Sequence, residues 1–290
     1  MAIDPKYLEL RRRRFRPTPV RMLVPNFITL LAICAGLTAI RLSTEGRMEL
    51  AVAAIVFAAV LDGLDGRVAR MIKGQSKFGA ELDSLADFVN FGVAPGLMLY
   101  FWQLRELNNG GWIAAMVFAI SGGLRLARFN ATMDDPNRPA YAANYFTGVP
   151  APAGAIAVLL PIYLAFLGLP KPPAAVTAVY TFVIGCLMVS RLPVFSGKTV
   201  HMRVPPEMVL PVFVSVIFFI ALLIGYPWYM LSAGTVIYLL SLPVGWKSYR
   251  NHQRKAEAMT VPLAASAAAD PQPPFLSTPA DDDNRPSRLN

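Results

Sequence analysis

Residues 50–87 read LAVAAIVFAAVLDGLDGRVARMIKGQSKFGAELDSLAD. An apolar run of spanning length reaches Asp62 and Asp65, passes a polar turn at Lys73-Gly74-Gln75-Ser76, and re-enters an apolar run that carries Asp83 and Asp87. An ionised carboxylate at the centre of a membrane helix costs about 2.5–3.5 kcal/mol on insertion scales, so four of them mark a functional site by default. Asp62 and Asp65 are spaced i, i+3 and Asp83 and Asp87 i, i+4, which places each pair on one face of its own helix. The polar turn makes the two helices an antiparallel hairpin, and both faces then converge on one cavity. Four oxygen donors without His or Cys suit a hard divalent cation such as Mg²⁺ or Mn²⁺. Two ions are expected, because four carboxylates around one ion leave excess negative charge, whereas shared carboxylates can bridge a pair acting on a pyrophosphate.

The rest of the chain supplies the membrane setting. Of its 290 residues 55% are hydrophobic and only 16% charged, and the mean hydropathy is +0.46. The charges gather between apolar blocks, which is the membrane pattern among composition classes. About eight windows are long enough to cross a hydrocarbon core as helices: 25–42, 50–70, 78–103, 111–129, 150–168, 173–191, 208–225 and 228–246. The expected class is therefore an all-α integral membrane protein, with a basic N-terminal segment at 1–24, a transmembrane catalytic domain at 25–246 and a largely disordered tail at 247–290. An even helix count puts both termini on one side, and of the 27 basic residues only Arg41, Arg47, Arg105 and Lys171 fall on the other. The positive-inside rule then places both termini, and the mouth of the carboxylate cavity, in the cytoplasm. Asp87 lies about ten residues beyond Lys77, roughly 15 Å along the helix axis.

The net charge of +9 needs no nucleic acid: Arg11 to Arg14 and Arg16 read as a juxtamembrane cluster facing anionic lipid, with a nucleic-acid patch as the alternative. No cleavable signal is expected before the first apolar block. Cys34 and Cys186 lie in apolar stretches and read as small buried hydrophobes, and His201 and His252 as surface or loop residues.

The hairpin resembles a known family. Asp62-Gly63-Leu64-Asp65-Gly66-Arg67-Val68-Ala69-Arg70, then Gly79, Asp83 and Asp87, fit D-x-x-D-G-x-x-A-R-x8-G-x3-D-x3-D at every specified position. This is the signature of the CDP-alcohol phosphotransferases. The resemblance implies that Asp62, Asp65 and Asp83 hold metal ions, while Asp87 contacts a metal and accepts the proton of the attacking hydroxyl. It also implies that Gly66, Ala69, Arg70, Ser76 and Gly79 lie along the nucleotide and its phosphates. Read alone, Gly66, Gly79 and Ala69 could equally serve helix packing, Arg70 could be an interfacial anchor, and Ser76 is an uninformative turn residue. Asn26 and Thr29, in Pro25-Asn26-Phe27-Ile28-Thr29, look like a family segment near the cytidine, with helix capping as the competing account.

Three further stretches are similar to the phosphatidylserine synthases of that family: Asp83 through Pro95, Arg125-Leu126-Ala127-Arg128-Phe129-Asn130, and Phe146-Thr147-Gly148-Val149-Pro150. Together with two helices beyond the family's six-helix core, they imply transfer of the phosphatidyl group of CDP-diacylglycerol to L-serine, by a homodimer in the cell (inner) membrane. Arg125 and Arg128 share a helix face and precede Asn130, so one arginine could fix the serine carboxylate; interfacial anchoring is the alternative. The rival activities are another reaction of the family, chiefly phosphatidylglycerophosphate synthesis, and a cation-coupled transporter, which would show inverted repeats and broken helices.

Overall fold

The computed structural model describes residues 23–72, 77–133, 145–190, 193–195, 206–243 and 245–246. They belong to one compact unit ending at Trp246. Most of the basic N-terminal segment, all of the C-terminal tail, His201, His252 and Ser76 lie outside the described residues.

The architecture is helical. Helix α1 spans Leu23–Thr44, α2 Met48–Met71 and α3 Lys77–Asp87, and α3 runs on through a π-helical turn, Phe88–Val93, into α4, Ala94–Trp102. A single 3₁₀ turn, Leu104–Leu107, leads to α5 at Asn109–Met133. Then come α6 (Ala151–Val158), α7 (Leu160–Phe166), α8 (Ala174–Val189) and α9 (Pro206–Gly225), and a last helix, α10, covers residues 227–243. Among the described residues, four stretches are long and apolar enough to cross a membrane on their own: Leu23–Thr44, Phe78–Trp102, Asn109–Ala131 and Met208–Gly225. The chain is thus an all-α membrane protein.

Helix α1 packs along α2, α3 and α4, while α5 packs on α8 and on the π-turn. The fully buried side chains Phe91, Met98, Leu99, Phe118, Ile162, Tyr163 and Met188 form the centre of the core. Glycines bring the helices into near contact: a Cβ on Gly122 would sit 3.1 Å from Gly92 Cα, and one on Gly96 3.0 Å from the Ala115 carbonyl. Outside this core the surface is apolar, as lipid requires. Helix α9 leaves nearly all its described side chains exposed. Cys34 and Cys186 are also exposed, which corrects the expectation of burial: in a membrane helix the apolar face is turned outward to lipid as readily as inward.

Two expected helices depart from regular α-helix, each near a proline. The window 150–168 divides at Leu159 into α6 and α7, with Pro161 at the start of α7. Pro161 has no N–H with which to bond the Ala157 carbonyl, and the Tyr180 hydroxyl donates to that carbonyl instead, at 2.6 Å. The break is a buried joint, since Leu159, Ile162 and Tyr163 are wholly enclosed. In the window 78–103, Pro95 follows the π-turn, where the Ala94 N–H reaches back to the Val89 carbonyl. Here the helix stays continuous but carries one surplus residue.

A two-stranded antiparallel pair was not anticipated. Tyr145–Thr147 pairs with Pro193–Phe195, Phe146 opposite Val194. Gly148 then turns with φ +80, and a Cβ there would lie 2.5 Å from the Met188 carbonyl, so only glycine fits.

Candidate active site

The hairpin of α2 and α3 closes as its spacing requires. Asp62, Asp65 and Asp83 each present a carboxylate oxygen, and these oxygens all lie within 4.8 Å of one another. Asp87, one turn beyond Asp83, lies close enough to Asp62 and Asp83 to interact electrostatically with both. Asp87 Oδ1 is buried and has no partner among the described residues. The ion pairs among the described residues join Arg41 and Arg47 to Glu45, and none reaches the four aspartates. A cluster of hard oxygen donors with an orphaned buried oxygen and no ion pair among the described residues fits divalent cations.

Around the cluster, the residues singled out by sequence fall into distinct groups. Thr29 is buried on α1, and its hydroxyl lies 2.8 Å from Asp65 Oδ2 and 3.0 Å from the Pro25 carbonyl. A hydroxyl has one proton to donate, so these acceptors share it and Asp65 is oriented by α1. Because α1 is already helical at Leu23, Asn26 and Thr29 sit inside the helix rather than at its cap, and capping falls away as their explanation. Asn26 is half-buried on the same helix.

Gly66 separates cleanly from a packing role: a Cβ there meets nothing within 4 Å. The space beside it is open, next to the carboxylates. Ala69 and Gly79 are buried, and the exposed Arg70 donates from Nε to the Gly66 carbonyl at 2.9 Å.

The proposed acceptor trio divides. Arg125, on α5, is only 9% exposed, stacks 5.4 Å above the Phe129 ring, and lies close enough to Asp87 and Tyr238 to interact electrostatically with both. Arg128 donates to the Val189 carbonyl at 2.5 Å, tying α5 to the end of α8. Asn130 donates to Ser84 Oγ at 2.9 Å, tying α5 to α3. Only Arg125 faces the carboxylates from the interior.

Sequence reasoning passed over Tyr238 on α10 as a site residue, and quoted Asn90 only within a longer stretch. Asn90 is fully buried in the π-turn with both side-chain polar atoms unpaired, seated against Gly36, where a Cβ would lie 2.0 Å from its Oδ1. A polar residue inside an apolar run was the available signal for Asn90; for Tyr238 there was none, because its neighbour Arg125 is distant in sequence.

Fold and site together define the class. The chain belongs to the CDP-alcohol phosphatidyltransferase family, whose sequence profile residues 22–246 match, and it is a multi-pass membrane protein. Its similarity extends to particular relatives. It is 40% identical over 235 residues, 80% of this chain and 77% of the relative, to the CDP-diacylglycerol--serine O-phosphatidyltransferase of Mycobacterium leprae. With the Helicobacter pylori strain 26695 protein of the same name it shares 34% over 77% of this chain and 91% of the relative. With that of Mycobacterium tuberculosis H37Rv it shares 52% over 47% of this chain and 48% of the relative, so that match spans about half of each protein.

Proposed function

We propose that this protein transfers the phosphatidyl group of CDP-diacylglycerol to the hydroxyl of L-serine, releasing CMP. The observation that carries the reading is the convergence of Asp62, Asp65, Asp83 and Asp87 beside the open face of Gly66. Relatives named for the serine reaction support the choice of acceptor.

Asp62, Asp65, Asp83 and Asp87 would hold two divalent ions, Mg²⁺ or Mn²⁺, which when bound supply the positive charge that neutralises a pyrophosphate and its leaving nucleotide. The diacylglycerol tails stay in the bilayer while cytidine and pyrophosphate lie along Gly66, Ala69, Arg70 and Gly79, with Asn26 toward the base and Ser76 at the turn. Thr29 holds the Asp65 carboxylate in place. Asp87 accepts the proton of the serine hydroxyl as that oxygen attacks the diacylglycerol-bearing phosphorus, and the bond from that phosphorus to the CMP oxygen breaks. Arg125 takes the α-carboxylate of serine, while Arg128 and Asn130 fix α5 against α8 and α3. The active site and both termini face the cytoplasm in the cell membrane, the catalytic domain runs over 25–246 between the basic segment 1–24 and the tail 247–290, and the enzyme is a homodimer.

Purified full-length protein given CDP-diacylglycerol and a panel of labelled acceptors tests this directly. Serine-dependent CMP release with formation of phosphatidylserine, abolished by chelator and restored by Mg²⁺ or Mn²⁺, is expected. Incorporation of glycerol 3-phosphate but not serine would overturn it.

A further inference from the structure

Helix α10 carries a row of hydroxyls that packing does not explain. Ser232, Thr235 and Tyr238 follow one another at i, i+3 and i+6 and so share one helix face. All three hydroxyl oxygens are buried and unpaired among the described residues. Elsewhere in this protein helical hydroxyls close on the carbonyl one turn back, as Thr38 does on Cys34, Ser43 on Ala39 and Ser215 on Pro211. Ser232 and Thr235 decline that bond. Buried polar groups without partners are scarce in folded proteins, and a set of them on one face points to something that binds there.

The row leads to the carboxylate cluster. Trp228, near the start of α10, packs on Phe166 with ring centroids 4.5 Å apart, and at the other end Tyr238 lies within electrostatic reach of Arg125, which in turn faces Asp87. Arg125 makes no hydrogen bond and no ion pair within 4 Å among the described residues, although nine-tenths of it is covered. A buried guanidinium and a buried phenol, both with donors to spare, stand beside the group that receives the acceptor's proton. Their chemistry is that of a carboxylate site: two donors from different helices, one charged, for one monoanionic group.

We propose that the Tyr238 hydroxyl and the Arg125 guanidinium together hold the α-carboxylate of the acceptor amino acid, so that α10 is a specificity element of the active site. The proposal rests on the serine-transfer reading and deepens it. A single guanidinium assisted by a neutral hydroxyl suits a carboxylate; a phosphate dianion would draw on a second cation. Acceptors that carry a hydroxyl and an amine but no carboxylate, such as ethanolamine, gain nothing from this pair.

The test is Tyr238→Phe in the full-length protein, which removes one oxygen and keeps the ring. The KM for serine is expected to rise about tenfold, the loss of one hydrogen bond to a charged group, with kcat and the KM for CDP-diacylglycerol within about twofold of wild type. Inhibition of serine transfer by ethanolamine is expected to be unchanged or relatively stronger. Arg125→Lys serves as a second variant, and combining the two is expected to raise the serine KM by less than the product of the single effects, because both act on one carboxylate. An unchanged serine KM in Tyr238→Phe, or equal losses for both substrates, overturns the proposal while leaving serine transfer intact. Wild-type protein that uses no serine at all overturns both.

Discussion

Two buried polar regions of this protein are built on opposite terms. Around the start of α8, four polar side chains each find a protein partner: Gln103 Nε2 donates to the Pro172 carbonyl at 2.5 Å, Thr177 donates to Gln103 Oε1 at 3.0 Å, Thr181 donates to the Thr177 carbonyl at 2.8 Å, and the Tyr180 hydroxyl closes the break between α6 and α7, while the nearby Tyr163 hydroxyl stays unpaired. In the carboxylate region, Asp87 Oδ1, both polar atoms of Asn90 and the hydroxyl of Tyr238 are buried and unpaired. Polar groups that bond one another stabilise the fold, whereas those left open wait for a ligand. The difference teaches where to expect losses of stability and where losses of activity.

Four substitutions sharpen that contrast. Asp87→Asn keeps the shape of the side chain and removes its capacity to take a proton; turnover is expected to fall by about a thousandfold, with nucleotide binding largely kept. Its melting temperature in chelator should not drop, because the change removes one of four crowded negative charges; near-normal turnover would refute the assignment of Asp87 as base. Gly66→Leu fills open space beside the carboxylates, so the KM for CDP-diacylglycerol is expected to rise about tenfold or more while thermal stability holds; a large loss of stability without a change in KM would return Gly66 to a packing role. In the other region the expected effects change kind. Gln103→Leu strands the Thr177 hydroxyl and the Pro172 carbonyl and should cost about 1–3 kcal/mol of stability, measured by thermal unfolding in detergent, with the serine KM unaltered. Tyr180→Phe releases only the Ala157 carbonyl and should cost about 1 kcal/mol, the smallest change of the four.

The carboxylate hairpin was legible in sequence because its information is local: i, i+3 and i, i+4 spacing on two adjacent helices needs only a turn to bring the faces together. The membrane setting was legible for a similar reason, since apolar length is counted along the chain. What escaped depends on contacts between distant segments. Pro95 and Pro161 were both visible, yet one follows a π-turn and the other a break, and the contacts made there, Gly36 against Asn90 and Tyr180 on the Ala157 carbonyl, come from distant segments. The strand pair joins Phe146 to Val194 across α6, α7 and α8. The arginines of α5 look equivalent at i, i+3, but the Val189 carbonyl engages Arg128 while Arg125 turns to Asp87 and Tyr238.

The π-turn at Phe88–Val93 has a consequence for how the long third span is aimed. Each residue of an α-helix advances the azimuth by about 100°, so one surplus residue sets α3 and α4 out of phase. Forcing that turn to ordinary α-helical pitch without shortening it would swing Asp83 and Asp87 about a quarter-turn around the axis relative to Met98 and Leu99, whereas deleting one residue from it would leave the two ends aimed as they are. The surplus residue acts as a clocking device, letting one continuous rod point its acidic end at α2 while its apolar end stays keyed to the core.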